Sequence, residues 1–304
     1  MRSWLSLQAR ALPAVALLGG SLLHAGGELA HGERGMVATV HPLATDAAVA
    51  AFKKGGNAID AAVAAALTLG VVDGHNSGIG GGCFMLIRPA GGTWVVVDGR
   101  ETAPAAATRD MFVRNGKAVP ELSLTGPLAA GVPGALAAYD HAVRRYGKLS
   151  LKDLLLPAAR IAEDGFVINR HYAERLAASA RELQRFEASR AAFLKPDGEP
   201  WKAGEILRLP DLAKTCRAIA DHGSGWFYRG AFAQTTADWM NKNRGLLTLE
   251  DFRNYHIKLR QPVITTYRSC QIVGFPLPSS GGVHVAQILS FLERFDLKKM
   301  GANS

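Results

Sequence analysis

The sequence predicts a mixed α/β (α+β) chain, rich in helix, with short strands set between the helices. Three observations carry this. Apolar residues recur at spacings of three and four in several long windows, the mark of buried helix stripes. Short β-type runs, bounded by glycine, proline and asparagine, separate those windows. The stretch Gly35–Pro104 shows the whole alternation: extended run, helix, turn, helix, glycine-rich loop, hairpin.

Taken in order, Met36–His41 is a β-type run, and Ala47–Lys54 and Ala58–Val72 are helices. Gly55-Gly56 stops the first helix and Asn57 is placed to cap the second. The second is apolar almost all round from Ala61 to Leu67, so it is expected to be buried on most sides. Cys83–Arg88 and Trp94–Asp98 read as strands joined by the turn Pro89-Ala90-Gly91-Gly92. Trp94, Val96 and Asp98 share one face, which Arg100 would continue. Met111–Val113 is strand-like. Helices are expected over Ala135–Tyr146, Leu151–Asp164 (between a Ser150 cap and a Gly165 stop), Arg170–Gln184, Leu212–Asp221 and Ala231–Asn243, with a short one capped by Thr248. Gly225–Gly230 forms an aromatic elbow whose Phe227 and Tyr228 belong in the core. Gln261–Phe275 makes two strands around Tyr267-Arg268-Ser269, and Ser279 or Ser280 caps a last helix, Gly281–Phe295. The strands near 36–41, 83–98 and 261–275 are expected to join the sheets.

Met1–Ala25 has a basic flank (Arg2, Arg10), an apolar run of 13 residues from Ala11 to Leu23, and a small residue at Ala25. That is the pattern of a secretory signal peptide, too short to span a bilayer, and it predicts a periplasmic or secreted protein. A buried N-terminal helix is the plainer alternative. The remaining 26–304 have no other apolar run of membrane length, so no stable membrane span is expected. A composition 48% hydrophobic and 20% charged, over 304 residues, suffices for one large globular domain or two small ones. The net charge of +9 falls to +7 without the leader, and its lysines and arginines are dispersed. Without a basic cluster interleaved with aromatics, a nucleic-acid partner is not expected. No HExxH or HxxxH is present and no cysteine pair has zinc spacing, so no metal site is predicted. Cys83, Cys216 and Cys270 are compatible with a Cys216–Cys270 disulfide or with free thiols.

Three motifs could carry chemistry. Arg100, in Asp98-Gly99-Arg100-Glu101, offers a planar guanidinium at a strand end, suited to gripping a carboxylate with two hydrogen bonds. The alternative is a surface ion pair with Asp98 or Glu101. Ser77-Gly78-Ile79-Gly80-Gly81-Gly82 exposes backbone N–H groups as an anion nest, or serves as a tight helix-to-strand turn. It is neither a dinucleotide fingerprint nor a Walker loop. Ser279-Ser280-Gly281-Gly282 places hydroxyls at a helix N-terminus, where they bind an anion or simply cap the helix. Neither serine lies in a GxSxG elbow.

Four segments in this order, GGNAIDAAVAAALTLGVV, SGIGGGCFMLI, DGRETAP and PLPSSGG, resemble the large-subunit signatures of γ-glutamyltransferases (glutathione hydrolases), members of the N-terminal-nucleophile (Ntn) hydrolase superfamily. The resemblance runs from Gly35 to the C-terminus; Cys83 stands where many relatives have a fourth glycine. It implies an αββα sandwich to which this chain contributes a helix-rich part of the large subunit. It also implies that Arg100 holds the α-carboxylate of a γ-glutamyl substrate such as glutathione, that no cofactor is needed, and that a small subunit comes from the same precursor. The family's nucleophile is a threonine opening a Thr-Thr-His-like run after PSSGG, and none follows that segment before Ser304. Thr235-Thr236 falls in a helix pattern, and Thr265-Thr266 in a strand pattern followed by Tyr267. No catalytic residue is therefore assigned, and the chain is expected to be a truncated large subunit, inactive alone. Two other functions fit the same residues: a different Ntn acylase, or a non-catalytic carboxylate-binding pseudoenzyme that keeps Arg100.

Overall fold

A computed structural model describes residues 30–33 and 35–301. The chain divides into two units, residues 1–36 and 37–304, and every element below lies in the second. The expected signal peptide, 1–25, lies outside the described residues.

Helix α1 (Pro42–Lys53) starts five residues before the predicted position, because Pro42 is pre-set for the first helical turn and the His41 imidazole accepts from Leu43 N–H. The predicted strand Met36–His41 does not form: residues 35–39 have no assigned secondary structure, and Met36 and Val40 are exposed. A β-type run becomes a strand only with a partner to take its backbone hydrogen bonds, and none pairs with it among the described residues.

Helix α2 (Ala58–Val72) has the predicted bounds and cap. The Asn57 side chain accepts from Ile59 and Asp60 N–H, and the Asp60 carboxylate accepts in return from Asn57 N–H. Asp60 is completely buried. It also takes the N–H groups of Lys148 and Leu149, tying the start of α2 to a distant loop.

Strands β1 (Cys83–Ile87) and β2 (Val95–Gly99) form the predicted antiparallel hairpin, with Phe84 opposite Asp98. The small hairpin β3 (Val113–Arg114) and β4 (Lys117–Ala118), helix α3 (Glu121–Leu124) and a 3₁₀ turn (Pro127–Ala129) lead to α4 (Ala135–Tyr146) and α5 (Leu151–Asp164). Ser150 caps α5 as expected. Then follow β5 (Phe166–Val167), α6 (Arg170–Gln184), α7 (Glu187–Phe193), β6 (Ile206–Leu207), α8 (Pro210–His222), α9 (Ser224–Arg229), α10 (Ala231–Lys242) and α11 (Leu249–Arg253). The chain closes with β7 (Lys258–Arg260), β8 (Val263–Tyr267), β9 (Cys270–Gly274), α12 (Gly281–Leu292) and α13 (Leu297–Met300).

The principal sheet has the order β1-β2-β7, all antiparallel. β2 is its middle strand, and residues 96–99 are buried on both faces of the pleat rather than on one. A continuous Val-Val-Val run suits a strand covered on both sides; Val97 lies against Ala138 and Ala142 of α4. The hairpin of β8 and β9 forms where expected but pairs only with itself, and β7, unforeseen in the sequence, takes the edge of β2. The main core gathers Val63, Leu67 and Val71 of α2 with Leu136 of α4, Leu155 of α5, Ile219 of α8, and Phe227 and Phe252. Cys83, Cys216 and Cys270 are free thiols, so the Cys216–Cys270 pairing is not made.

Candidate active site

Arg100 is the first residue past β2, and its backbone is held on both sides. Its N–H donates to Asp98 Oδ1 at 2.9 Å, and its carbonyl accepts from the Tyr255 hydroxyl at 2.8 Å. Asp98 is almost fully buried and its second oxygen takes Arg260 Nε of β7 at 2.6 Å. Asp98 is thus committed to Arg260, leaving the Arg100 guanidinium for other anions. Tyr255 stacks on Tyr228, with ring centroids 5.7 Å apart and planes 12° apart. Tyr228 in turn donates to Pro133 O and accepts from Ala137 N–H at the start of α4. The expected aromatic elbow is instead the short helix α9; it does fill the core, as Phe227 shows, but its tyrosine also supports the strand end. Gly134 is required at this spot: a Cβ there would run into the Tyr255 hydroxyl.

The Arg100 side chain itself is 64% exposed. Its Nε lies 3.4 Å from Glu101 Oε2, a loose pair between two solvated groups, worth under about 1 kcal/mol. An incoming carboxylate able to take both prongs of the guanidinium would outcompete it, since a paired, charge-assisted contact is about twice as strong as a neutral hydrogen bond. The guanidinium carbon also sits 5.9 Å from the Phe84 ring centroid. A groove of about 400 Å³ opens here, lined by Arg100, Glu101, Thr102, Met111, Phe112 and Gly131 among others.

The glycine loop is brought to this place. A Cβ on Gly82 would strike the Glu101 carboxylate, and one on Gly81 would touch it. The Gly81 carbonyl accepts from Gly134 and Ala135 N–H, fastening the loop to the start of α4. Gly78 N–H and Gly80 N–H have no hydrogen bond among the described residues, whereas Gly81 N–H is used within the loop by Gly78 O and Ser77 N–H by Asp73 O. Cys83, next in sequence, packs against the main core, and burial pushes its thiol up to about 12. It is a protonated packing group, not a nucleophile.

The Ser279–Gly282 segment does not line the Arg100 groove; its neighbour Phe275 does approach, its ring 4.2 Å from that of Phe84. Neither serine hydrogen-bonds to Arg100 among the described residues. Ser280 occupies the N-cap position of α12 without a side-chain bond; Ser279 Oγ accepts from Gly281 N–H instead. The expected serine cap is therefore made by Ser279, one residue earlier than the helix start would place it. Neither Thr235-Thr236, in α10, nor Thr265-Thr266, in β8, lines the Arg100 groove. Among the described residues no group of three or more His, Cys, Asp or Glu gathers as a metal site, and no helix is long and apolar enough to cross a membrane.

Asp98–Arg260, Tyr255, Phe84 and Phe275 are absent from the sequence-level assignment. Tyr255 and Arg260 lie more than 150 positions from Arg100 in sequence, and no local spacing marks them.

Comparison with known proteins gives a consistent picture. The Glutathione hydrolase proenzyme of Escherichia coli (strain K12) is 44% identical over 274 residues, covering 90% of this chain and 47% of that protein. The Acylase ACY 1 proenzyme of Pseudomonas sp. (strain V22) is 39% identical over 282 residues, covering 90% of this chain and 50% of that one. The crystal structure of Helicobacter pylori gamma-glutamyltranspeptidase superposes with a TM-score of 0.88 at 38% identity, covering 91% of this chain and 79% of that chain. The chain thus spans about half the length of the curated relatives it matches. The gamma-glutamyltranspeptidase family model matches residues 44–304, and the chain belongs to that family.

Proposed function

We propose that this chain supplies the carboxylate-gripping part of an enzyme that hydrolyses γ-glutamyl amides such as glutathione or passes the γ-glutamyl group to an amine. The observation that carries this reading is the exposed Arg100 guanidinium, anchored through its backbone at the end of the central strand and held only in a loose pair with Glu101. Arg100 grips the α-carboxylate of the donor, which fixes where the γ-carbonyl falls. A threonine hydroxyl then attacks that carbonyl carbon; the amide C–N bond breaks, the amine leaves with a proton, and a γ-glutamyl ester remains. Water or an amino acid attacks the ester and frees the hydroxyl. Unpartnered N–H groups of the glycine loop are suited to hold anionic oxygen.

The threonine is assigned to a small subunit from the same precursor. Support comes from the name proenzyme carried by the relatives and from the half-length match. It also comes from the exposed apolar side chains of Leu277, Val285, Ile288 and Phe291 along and before α12, a surface suited to burial against further protein. Residues 1–25 act as the signal peptide, residues 26–304 as part of the large subunit, and the product is periplasmic or secreted.

A second reading is favoured by the acylase relative: the same Arg100 grip on the free carboxylate of a glutaryl amide. Assaying the full-length gene product against glutathione and a glutaryl amide separates the two. Turnover of glutathione with a strong preference for the γ-glutamyl donor is expected. Cleavage of the glutaryl amide alone would make the acylase reading correct, and no amide cleavage would leave the pseudoenzyme.

A further inference from the structure

A second cavity, of about 220 Å³, lies between the loop after α2 and helices α6 and α7. It shares no lining residue with the Arg100 groove. Its walls divide by chemistry. Leu176, Leu183 and Phe193 are apolar, while His75, Tyr172, Arg175 and Ser179 are polar. Both ring nitrogens of His75 are buried without a hydrogen-bond partner; Nε2 lies 3.2 Å from Asp73 Oδ1 but out of hydrogen-bond alignment. Arg175 has no carboxylate at ion-pair distance among the described residues, whereas Arg170, on the same helix, is paired with Glu174 at 2.8 Å. Buried polar atoms in a native protein find partners, so the orphaned His75 imidazole marks a place where a ligand completes the set, with the exposed Arg175 guanidinium at the cavity's edge to meet it.

We propose that this cavity binds a small organic anion: a carboxylate shared by Arg175 and the His75 imidazole, with a short hydrocarbon tail among Leu176, Leu183 and Phe193. The mixed lining fits such a molecule better than an inorganic anion, which would leave the apolar wall uncovered, or a hydrocarbon, which would leave His75 unsatisfied. Binding is coupled to a proton. The groups around His75 are Asp73 on its own loop and His171, Tyr172 and Arg175 on α6. Burial lowers the imidazole below its ordinary value, Asp73 opposes that, and His171 and Arg175 reinforce it. Burial thus disfavours the charged ring, whereas a bound carboxylate on one side, with Asp73 on the other, favours the imidazolium. Binding therefore favours proton uptake and tightens as pH falls from about 8 toward about 6.

The test is a titration of the full chain with pentanoate, and separately with 1-pentanol, followed by the His75 ring resonances in a carbon–proton correlation spectrum. These resonances are identified by their loss in His75→Gln. Pentanoate is expected to shift them saturably and more tightly at the lower pH, 1-pentanol to leave them in place, and Arg175→Ala to weaken pentanoate about tenfold or more. Arg175 is exposed, so its truncation leaves the core intact. Unmoved His75 resonances with pentanoate, an equal response to 1-pentanol, or unchanged affinity in Arg175→Ala each overturn the proposal.

Discussion

At the scale of single residues, the role proposed for Arg100 rests on other residues holding its backbone and leaving its side chain free. The buried Asp98 carboxylate would compete for that guanidinium, but Arg260 occupies it. Replacing Arg100 by lysine in the full-length protein keeps the charge and loses the planar fork, so kcat/KM for a γ-glutamyl donor is expected to fall by at least about tenfold, with the thermal midpoint unchanged. Tyr255→Phe keeps the stack on Tyr228 and deletes one hydrogen bond, the one to the Arg100 carbonyl. It is expected to cost about 1 kcal/mol in denaturant unfolding and to raise KM for the donor. The thiols give an independent check. Burial pushes Cys83 up to about 12 and Cys216 up to about 11, while Cys270 is exposed. At about pH 8 a thiol reagent should modify one cysteine quickly, Cys270, and the other two only after unfolding; rapid labelling of Cys83 would contradict the packing described around Arg100.

At the scale of elements, the helices were legible because their signals are local. Asn57, Ser150 and Thr248 each precede a helix by one residue and each cap it with an acidic partner three residues on. The bounds of α2, α4, α5 and α6 follow from those caps, from the glycine after α4 and α5, and from apolar spacing. Strand pairing was not local and was mostly illegible. Lys258-Leu259-Arg260 is too short for its polar-apolar-polar alternation to stand out, yet it pairs with β2 across some 160 residues of sequence, while the β8–β9 hairpin stays outside the main sheet. The site divides in the same way: Arg100 and the glycines announce themselves by motif, whereas Tyr255 and Arg260 reach the site only through tertiary packing. The α2 cap has a measurable consequence. Asp60→Ala leaves the N–H groups of Asn57, Lys148 and Leu149 without their acceptor and should cost at least about 3 kcal/mol in unfolding free energy. Asp153 supplies a pH test. Hydrogen bonds from the Ser150 hydroxyl and N–H hold its carboxyl below the ordinary range. Its folded value is depressed, so its contribution is present above the unfolded value of about 3.9 and is lost as pH falls through the folded one. The difference in thermal midpoint between the native chain and Asp153→Asn should therefore shrink on acidification below about pH 4.

At the scale of the whole molecule, the described chain is a helical body that presents one sheet end. Around that end it collects Arg100, the glycine loop and, through Phe84 and Phe275, the Ser279–Gly282 turn. Beside these lies the uncovered face of α12, whose Ile288 and Phe291 stay exposed. Under the proposed function, the rest of the polypeptide covers that face and delivers the attacking hydroxyl. Everything in that account depends on Arg100 recognising one chemical group, the donor's α-carboxylate. The direct measurement is kcat/KM of the full-length protein and its Arg100→Ala variant on two donors, a γ-glutamyl anilide and the 4-aminobutanoyl anilide that lacks only that carboxylate. The account predicts a loss of about thirtyfold or more on the first donor and no further loss on the second. An equal loss on both donors, or none on either, would contradict it.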